Sequence, residues 1–220
     1  MARQKIAKRP KKRVILFIVE GESDKAALEN PIQNLLAINK SCIEATFLIA
    51  KHDVTSDNRV TIKNIEQRLN DIYFRGFFSA NEFYYPKDIL EVVHIVDLDG
   101  TFTPEENCRA FDEEHFAEKG FVYDPPYVYG NTTEAVINRN RKKAENIKYL
   151  ITLNEIKVCS KTCPYSVFFF SSNIDHYLYD KLNLITREKL DRARNFAIQC
   201  DQDSEYLIKR ICRHSQALKN

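Results

Sequence analysis

Three acidic residues stand where a catalytic cation could be held. Asp97 and Asp99 lie in the string "EVVHIVDLDGTF" (91–102), and Glu20 closes the apolar run of "RVILFIVEG" (13–21). Each string is an apolar run that ends abruptly in acid and Gly, the pattern of a buried strand entering a tight turn. Carboxylates two apart on a strand share a face, so Asp97 and Asp99 can converge on one hard cation. Two anions brought together are costly unless a cation compensates them. A pair of aspartates that merely caps the turn before Gly100 is the plainer alternative. A further strand end, "YSVFFFSSN" running into "IDHYLYDKLN", brings Asn173, Asp175 and His176 forward. There His176 is either a general base or a core histidine on a helix face.

The elements that must position these residues alternate along the chain. Strands are expected at 13–21, 43–51, 89–99 and 165–173. Between them lie a helix opened by Ser23 as N-cap, with Pro31 able to kink it, and a helix over 61–78 with Ile65, Leu69, Ile72 and Tyr73 on one face. This β-α-β-α-β order predicts an α/β fold with a mostly parallel sheet of about four strands flanked by helices. In such sheets polar chemistry gathers beyond the carboxyl ends of the strands. The main domain is expected over 13–183, with a helical insertion at about 101–160 and C-terminal helices over 184–220 packed on the same domain. Within the insertion, 133–154 reads as a helix whose Arg139, Arg141, Lys142 and Lys143 form a basic turn. That turn is either a solvated face or a contact to a nucleic-acid backbone. A lid or a dimer contact would each suit the aromatic segment 101–132, so a homodimer stays open.

A chain of 220 residues, 44% hydrophobic and 29% charged, is long enough to bury an ordinary core. Its longest apolar runs are far shorter than a bilayer span, and no secretory leader precedes them, so a cytoplasmic protein away from the membrane is expected. The six cysteines are then expected to be reduced thiols, with Cys159 and Cys163 a weak zinc pair at best. The net charge of +2 conceals an asymmetry. Seven of the 33 basic residues and none of the 31 acidic ones fall in the first 13 positions, leaving 26 against 31, or −5, elsewhere. Residues 1–12 read as a disordered basic tail in which Lys8, Arg9, Lys11 and Lys12 can attract phosphate.

Two resemblances attach to these motifs. "DLDGT" resembles the nucleophile motif of haloacid-dehalogenase-type phosphatases, which implies that Asp97 attacks phosphorus and Asp99 acts as acid and base. That family's later acidic metal motif is missing, with "CDQDSE" (200–205) a poor substitute, and Glu20 is left without a task. The combination of strand, Glu20 and Gly21 with a later strand ending in Asp97-x-Asp99 resembles the TOPRIM domain of topoisomerases, primases and OLD-family (overcoming lysogenization defect) nucleases. "VEGESD" is most similar to the OLD-type members. This resemblance covers residues 13–100 and, more weakly, 165–183. It implies a TOPRIM-like fold and a nuclease acting on DNA or RNA with Mg2+ or Mn2+ held by Glu20, Asp97 and Asp99. It further implies Asp175 as an additional acidic residue and a role in phage defence or mobile-element conflict. No G-x-x-x-x-G-K-[ST] motif is present, so any ATPase is expected as a separate chain. Lys181 and Lys209 are options for the catalytic lysine of some OLD nucleases, and Asp24 either caps its helix or supports the metal. A catalytically silent TOPRIM-like module that binds nucleic acid or regulates a partner is the remaining alternative.

Overall fold

The computed structural model describes residues 12–38, 42–50, 53–117, 120–170, 172–203 and 205–210. Lys8, Arg9 and Lys11 lie outside these residues. The central sheet has strands β1 (Val14–Val19), β2 (Glu44–Ile49), β3 (Ile89–Asp97), β7 (Glu155–Val158) and β8 (Lys161–Phe170), in the order β2-β1-β3-β8-β7. Neighbours are parallel except for the β7–β8 hairpin. The sheet thus has one strand more than expected. The short β7 escapes a search for long apolar runs because its burial alternates, with Ile156 and Val158 inward and Glu155 and Lys157 outward. Cys159 sits in the tight turn of this hairpin and Cys163 is buried in the core, both as free thiols.

Alternation along β1 explains the two layers. Val14, Leu16 and Ile18 face a core completed by Ile65, Leu69, Phe74 and Leu150. These come from α2 (Ile65–Arg68), a π-helical turn (Leu69–Phe74) that leads into α3 (Arg75–Ala80), and α4 (Thr133–Thr152). Of the face expected over 61–78, Ile65 and Leu69 are buried, while Ile72 is exposed because the π turn shifts the register. On the other side Phe17 and Val19 meet a second core, with Phe17 stacked on Phe47 at 4.9 Å between ring centroids. That core is supplied by α1 (Glu22–Ile38), α5 (Ile174–Tyr179) and α6 (Thr186–Gln202). Helix α1 runs unbroken through Pro31, and it begins at Glu22, so Ser23 lies inside it rather than at its cap. His94 of β3 is buried, and its Nδ1 lies 2.7 Å from the Tyr165 hydroxyl. Burial depresses its pKa to about 4, which keeps the ring neutral. Among the described residues, no helix is long and apolar enough to cross a membrane.

The segment after β3 departs from the expected helical insertion. It forms a small three-stranded sheet of β4 (Cys108–Ala110), β5 (Val122–Asp124) and β6 (Tyr127–Gly130), in the order β4-β6-β5, before α4 begins. Val122, Tyr123, Tyr127, Val128 and Tyr129 fill most of β5 and β6, which favours a pleated surface over a helix. The small sheet is anchored at the turn that carries Asp99. Asp99 and Gly100 both have positive φ (47° and 66°), and a Cβ on Gly100 would stand 2.5 Å from Val128 Cγ2. Gly100→Ala is therefore expected to destabilise the fold by about 1–3 kcal/mol through strain and overpacking. Gly76→Ala should have the opposite effect, because Gly76 is helical and a Cβ there meets nothing within 4 Å; a gain of up to about 1 kcal/mol is expected. Urea unfolding midpoints of the two variants check the contrast.

Candidate metal centre

Parallel pairing of β2, β1 and β3 brings the carboxyl ends of three adjacent strands to one edge of the sheet. Glu20 follows β1, Asp53 lies in the loop after β2, and Asp97 and Asp99 end β3 and enter its turn. Glu20, Asp53 and Asp99 each offer a carboxylate oxygen, and these oxygens lie within 4.8 Å of one another. Asp97 stands beside them. Its backbone N–H donates to Glu20 Oε1 at 3.2 Å, while its Oδ1 accepts from the Ile174 N–H at the start of α5 at 3.0 Å. Strand β3 stops at Asp97, and Asp99 reaches the cluster through the left-handed turn. The alternation rule used for the pair therefore covers only its first member.

A lysine fills the middle of this group. Lys143, on α4 and fully buried, places Nζ 2.8 Å from Asp53 Oδ2, 3.1 Å from Asp99 Oδ2 and 3.8 Å from Glu20 Oε1. One turn earlier on the same helix, Arg139 donates to the Asp99 carbonyl at 2.6 Å and lies 3.3 Å from its Oδ2. Asn140 donates to the Gly100 carbonyl at 3.1 Å. The basic turn expected on α4 thus divides. Arg139 and Lys143 turn inward, Arg141 pairs with Glu105 at the surface, and Lys142 bonds the Asn58 carbonyl. Lys12 pairs with Glu44 and lies over the Tyr84 ring.

Asp175 is brought near but is not in the convergent set. It is buried, its Oδ2 is 2.7 Å from Lys189 Nζ, and its Oδ1 has no hydrogen-bond partner among the described residues. Asp24 lies between the two groups and accepts from the Gly21 N–H at 2.8 Å, satisfying a donor at the start of α1. His176 helps form the first turn of α5, where its N–H donates to Asn173 Oδ1. Lys181 is exposed, and Lys209 pairs with Asp203 and Glu205.

Burial and mutual repulsion set the protonation of the cluster. Burial, then Asp53 and Asp99, pushes Glu20 well above the ordinary carboxyl range despite the opposing pull of Lys143. Burial, Glu20 and Asp99 do the same to Asp97. Asp24 is raised to about 6, chiefly by burial. For Asp53 the burial penalty is outweighed by Lys143 and by bonds from Thr55, so its pKa is lowered. Burial alone would depress Lys143, yet Glu20, Asp99 and Asp53 raise it. Among the described residues, six carboxyls (Glu20, Asp24, Asp53, Asp97, Asp99 and Asp175) thus share three cations (Arg139, Lys143 and Lys189), and the pKa values of Glu20, Asp24 and Asp97 are pushed up.

Above the cluster opens a cleft of about 820 Å³. Glu20, Asp24, Asp97, Asp99 and Lys189 line it from the main domain, and Val122 and Tyr123 of β5 with the preceding Phe121 from the other side. Asp53 and Lys143 lie behind this floor; Asp53 is not among the residues singled out in the sequence, and Lys143 is expected only as part of the basic turn. Asp53 follows a strand end just as Glu20 does, which was a usable signal. Lys143 falls in register with Val136, Asn140, Ile147 and Leu150 on the buried face of α4, where a lysine is out of place unless paired. No protein-family model, curated protein or solved structure matches the chain.

Replacing Lys143 by Met leaves Asp53, Asp99 and Glu20 without their shared cation. Without the ammonium Asp53 loses the partner that lowers its pKa and Glu20 is raised further, so the folded chain binds more protons and the penalty shrinks as pH falls. Lys143→Met is expected to cost about 3–5 kcal/mol at pH 8 and clearly less at pH 5. Urea unfolding at the two pH values measures the difference.

Proposed function

We propose that the protein is a divalent-metal-dependent hydrolase of phosphodiester bonds in nucleic acid, with a TOPRIM-like arrangement of its acidic residues. The observation that carries this reading is the charge imbalance at the foot of an open cleft. Glu20 and Asp97 face the cleft, and burial together with the neighbouring carboxyls raises both pKa values well above the ordinary range. A donor set of clustered carboxylate oxygens suits a hard cation such as Mg2+ or Mn2+. Glu20, Asp97 and Asp99 would hold it, with Asp53 and Lys143 supporting them from behind.

A cation of this kind supplies Lewis acidity toward a phosphodiester and lowers the pKa of water. The chain's own residues do the positioning. The Asp97 N–H orients Glu20, the Ile174 N–H orients Asp97, and Arg139 with Lys143 fixes Asp99. Lys189 adds a positive charge within the cleft, beside the anion a phosphodiester brings. The same arrangement gives Glu20 a task, which the dehalogenase-type phosphatase scheme does not. The resemblance to OLD-type nucleases extends the proposal to phage defence or mobile-element conflict.

A second reading rests on Lys143. Its ammonium already lies within 3.8 Å of an oxygen of each of Glu20, Asp53 and Asp99, as a built-in cation would, and this favours a module that binds nucleic acid without cutting it.

Metal binding and cleavage separate the two. The hydrolase should cut plasmid, single-stranded DNA or RNA with Mg2+ or Mn2+ and not with EDTA, and Glu20→Gln should lower the rate by roughly 100-fold or more. Because a cation competes with protons for Glu20 and Asp97, whose pKa values are raised, Mn2+ should raise Tm more at pH 8 than at pH 5.5. The silent module would show neither cleavage nor a Mn2+-dependent Tm.

A further inference from the structure

The cleft over the carboxylates has an apolar rim that the chemistry of its floor does not require. Phe116 is 66% exposed and Ile185 is 64% exposed, and both line the cleft with Phe121 and Tyr123. Large apolar side chains left in water forgo the gain of burial, so their placement around an acidic floor favours an occupant with an apolar face. Phe116 is steadied by an edge contact with Phe111, 5.6 Å between ring centroids. The Arg139 guanidinium lies 4.6 Å from the Phe121 ring centroid and 3.4 Å from the Tyr123 hydroxyl. Since the same guanidinium holds Asp99, the aromatic wall and the carboxylate floor share one anchor and keep a fixed separation.

We infer that the cleft takes a single-stranded segment of DNA or RNA, with an unstacked base against Phe116 and the adjoining phosphodiester at Glu20, Asp97 and Asp99. This rests on the phosphodiester-hydrolase reading. In a duplex each base face is covered by its neighbours, so a base reaches Phe116 only after leaving the stack. A cleft of about 820 Å³ also falls within the roughly 300–1,000 Å³ of pockets that enclose one small ligand, which suits one or two nucleotides and not a double helix.

Recognition should tolerate sequence. The amide of Asn183 is engaged on both sides by the Tyr123 backbone, and Asn173 Oδ1 accepts from the His176 N–H. The Asn183 amide is thereby committed to the fold on both sides and Asn173 through its oxygen, which favours stacking and backbone attraction as the main contacts. Stacking on an aromatic ring serves any base.

The test uses the full chain with Ca2+ in place of Mg2+ and short DNA and RNA oligonucleotides carrying 2-aminopurine. Quenching of the probe on binding is expected for single strands of either sugar. Phe116→Ala should weaken binding roughly tenfold and abolish the quench, whereas Phe116→Trp should retain both. An unchanged Tm for Phe116→Ala confirms that the exposed position was altered without harm to the fold. Bound probe with unaltered fluorescence, or affinity indifferent to Phe116→Ala, overturns the inference. With Mg2+ or Mn2+, a duplex cut as fast as its single strands also overturns it while leaving the hydrolase reading intact. Quenching that depends on Phe116, with no strand cut under any metal, instead sinks the hydrolase reading and keeps the single-strand site.

Discussion

A fully buried ammonium governs the architecture around the site. Taking Lys143 out of water is tolerable only where several carboxylates meet it, and those carboxylates come from the end of β1, the loop after β2 and the turn after β3. Three strand ends and one helix must therefore be in place together. The strand order β2-β1-β3 meets that requirement, because parallel neighbours end on the same side. Removing water from these charges also makes each remaining imbalance expensive, which raises the pKa values of Glu20 and Asp97. The affinity for an added cation that we propose and the internal ion pair have the same physical origin.

Arg139 carries this constraint outward. Its guanidinium touches Asp99, the Phe121 ring and the Tyr123 hydroxyl, and so joins the small sheet to the carboxylate floor. Gly100 permits the junction, since the turn needs positive φ and leaves no room for a side chain against Val128. The first part of the segment expected as a helical insertion is thus one wall of the cleft. Its position follows from the same helix that supplies Lys143, and a change to α4 would reach both floor and wall.

Much of the layout was legible in the chain. Apolar runs that stop at acid and Gly located β1 and β3, and helical periodicity located α1 and α4, because a strand or helix buried on a known face leaves its period in the sequence. The small sheet and β7 were not legible. Their strands are three or four residues long and half-exposed, too short to show a period, and are stabilised by partners brought in by the fold. Asp97 and Asp99 were found together for a reason that was only half right, since a turn and not strand alternation delivers Asp99.

The sequence by itself determined which residues could supply acid chemistry and that Glu20, Asp97 and Asp99 stand at strand ends, because type and local spacing are written in the chain. Tertiary structure alone decided that Asp53 joins them and that Asp175 pairs instead with Lys189. It also turned Lys143 and Arg139 inward from a run of four basic residues that look alike in sequence. Their charge and helical propensity are nearly equal. Which of them faces the carboxylates depends on the rotation of α4 against the sheet, set by the burial of Val136, Ile147 and Leu150.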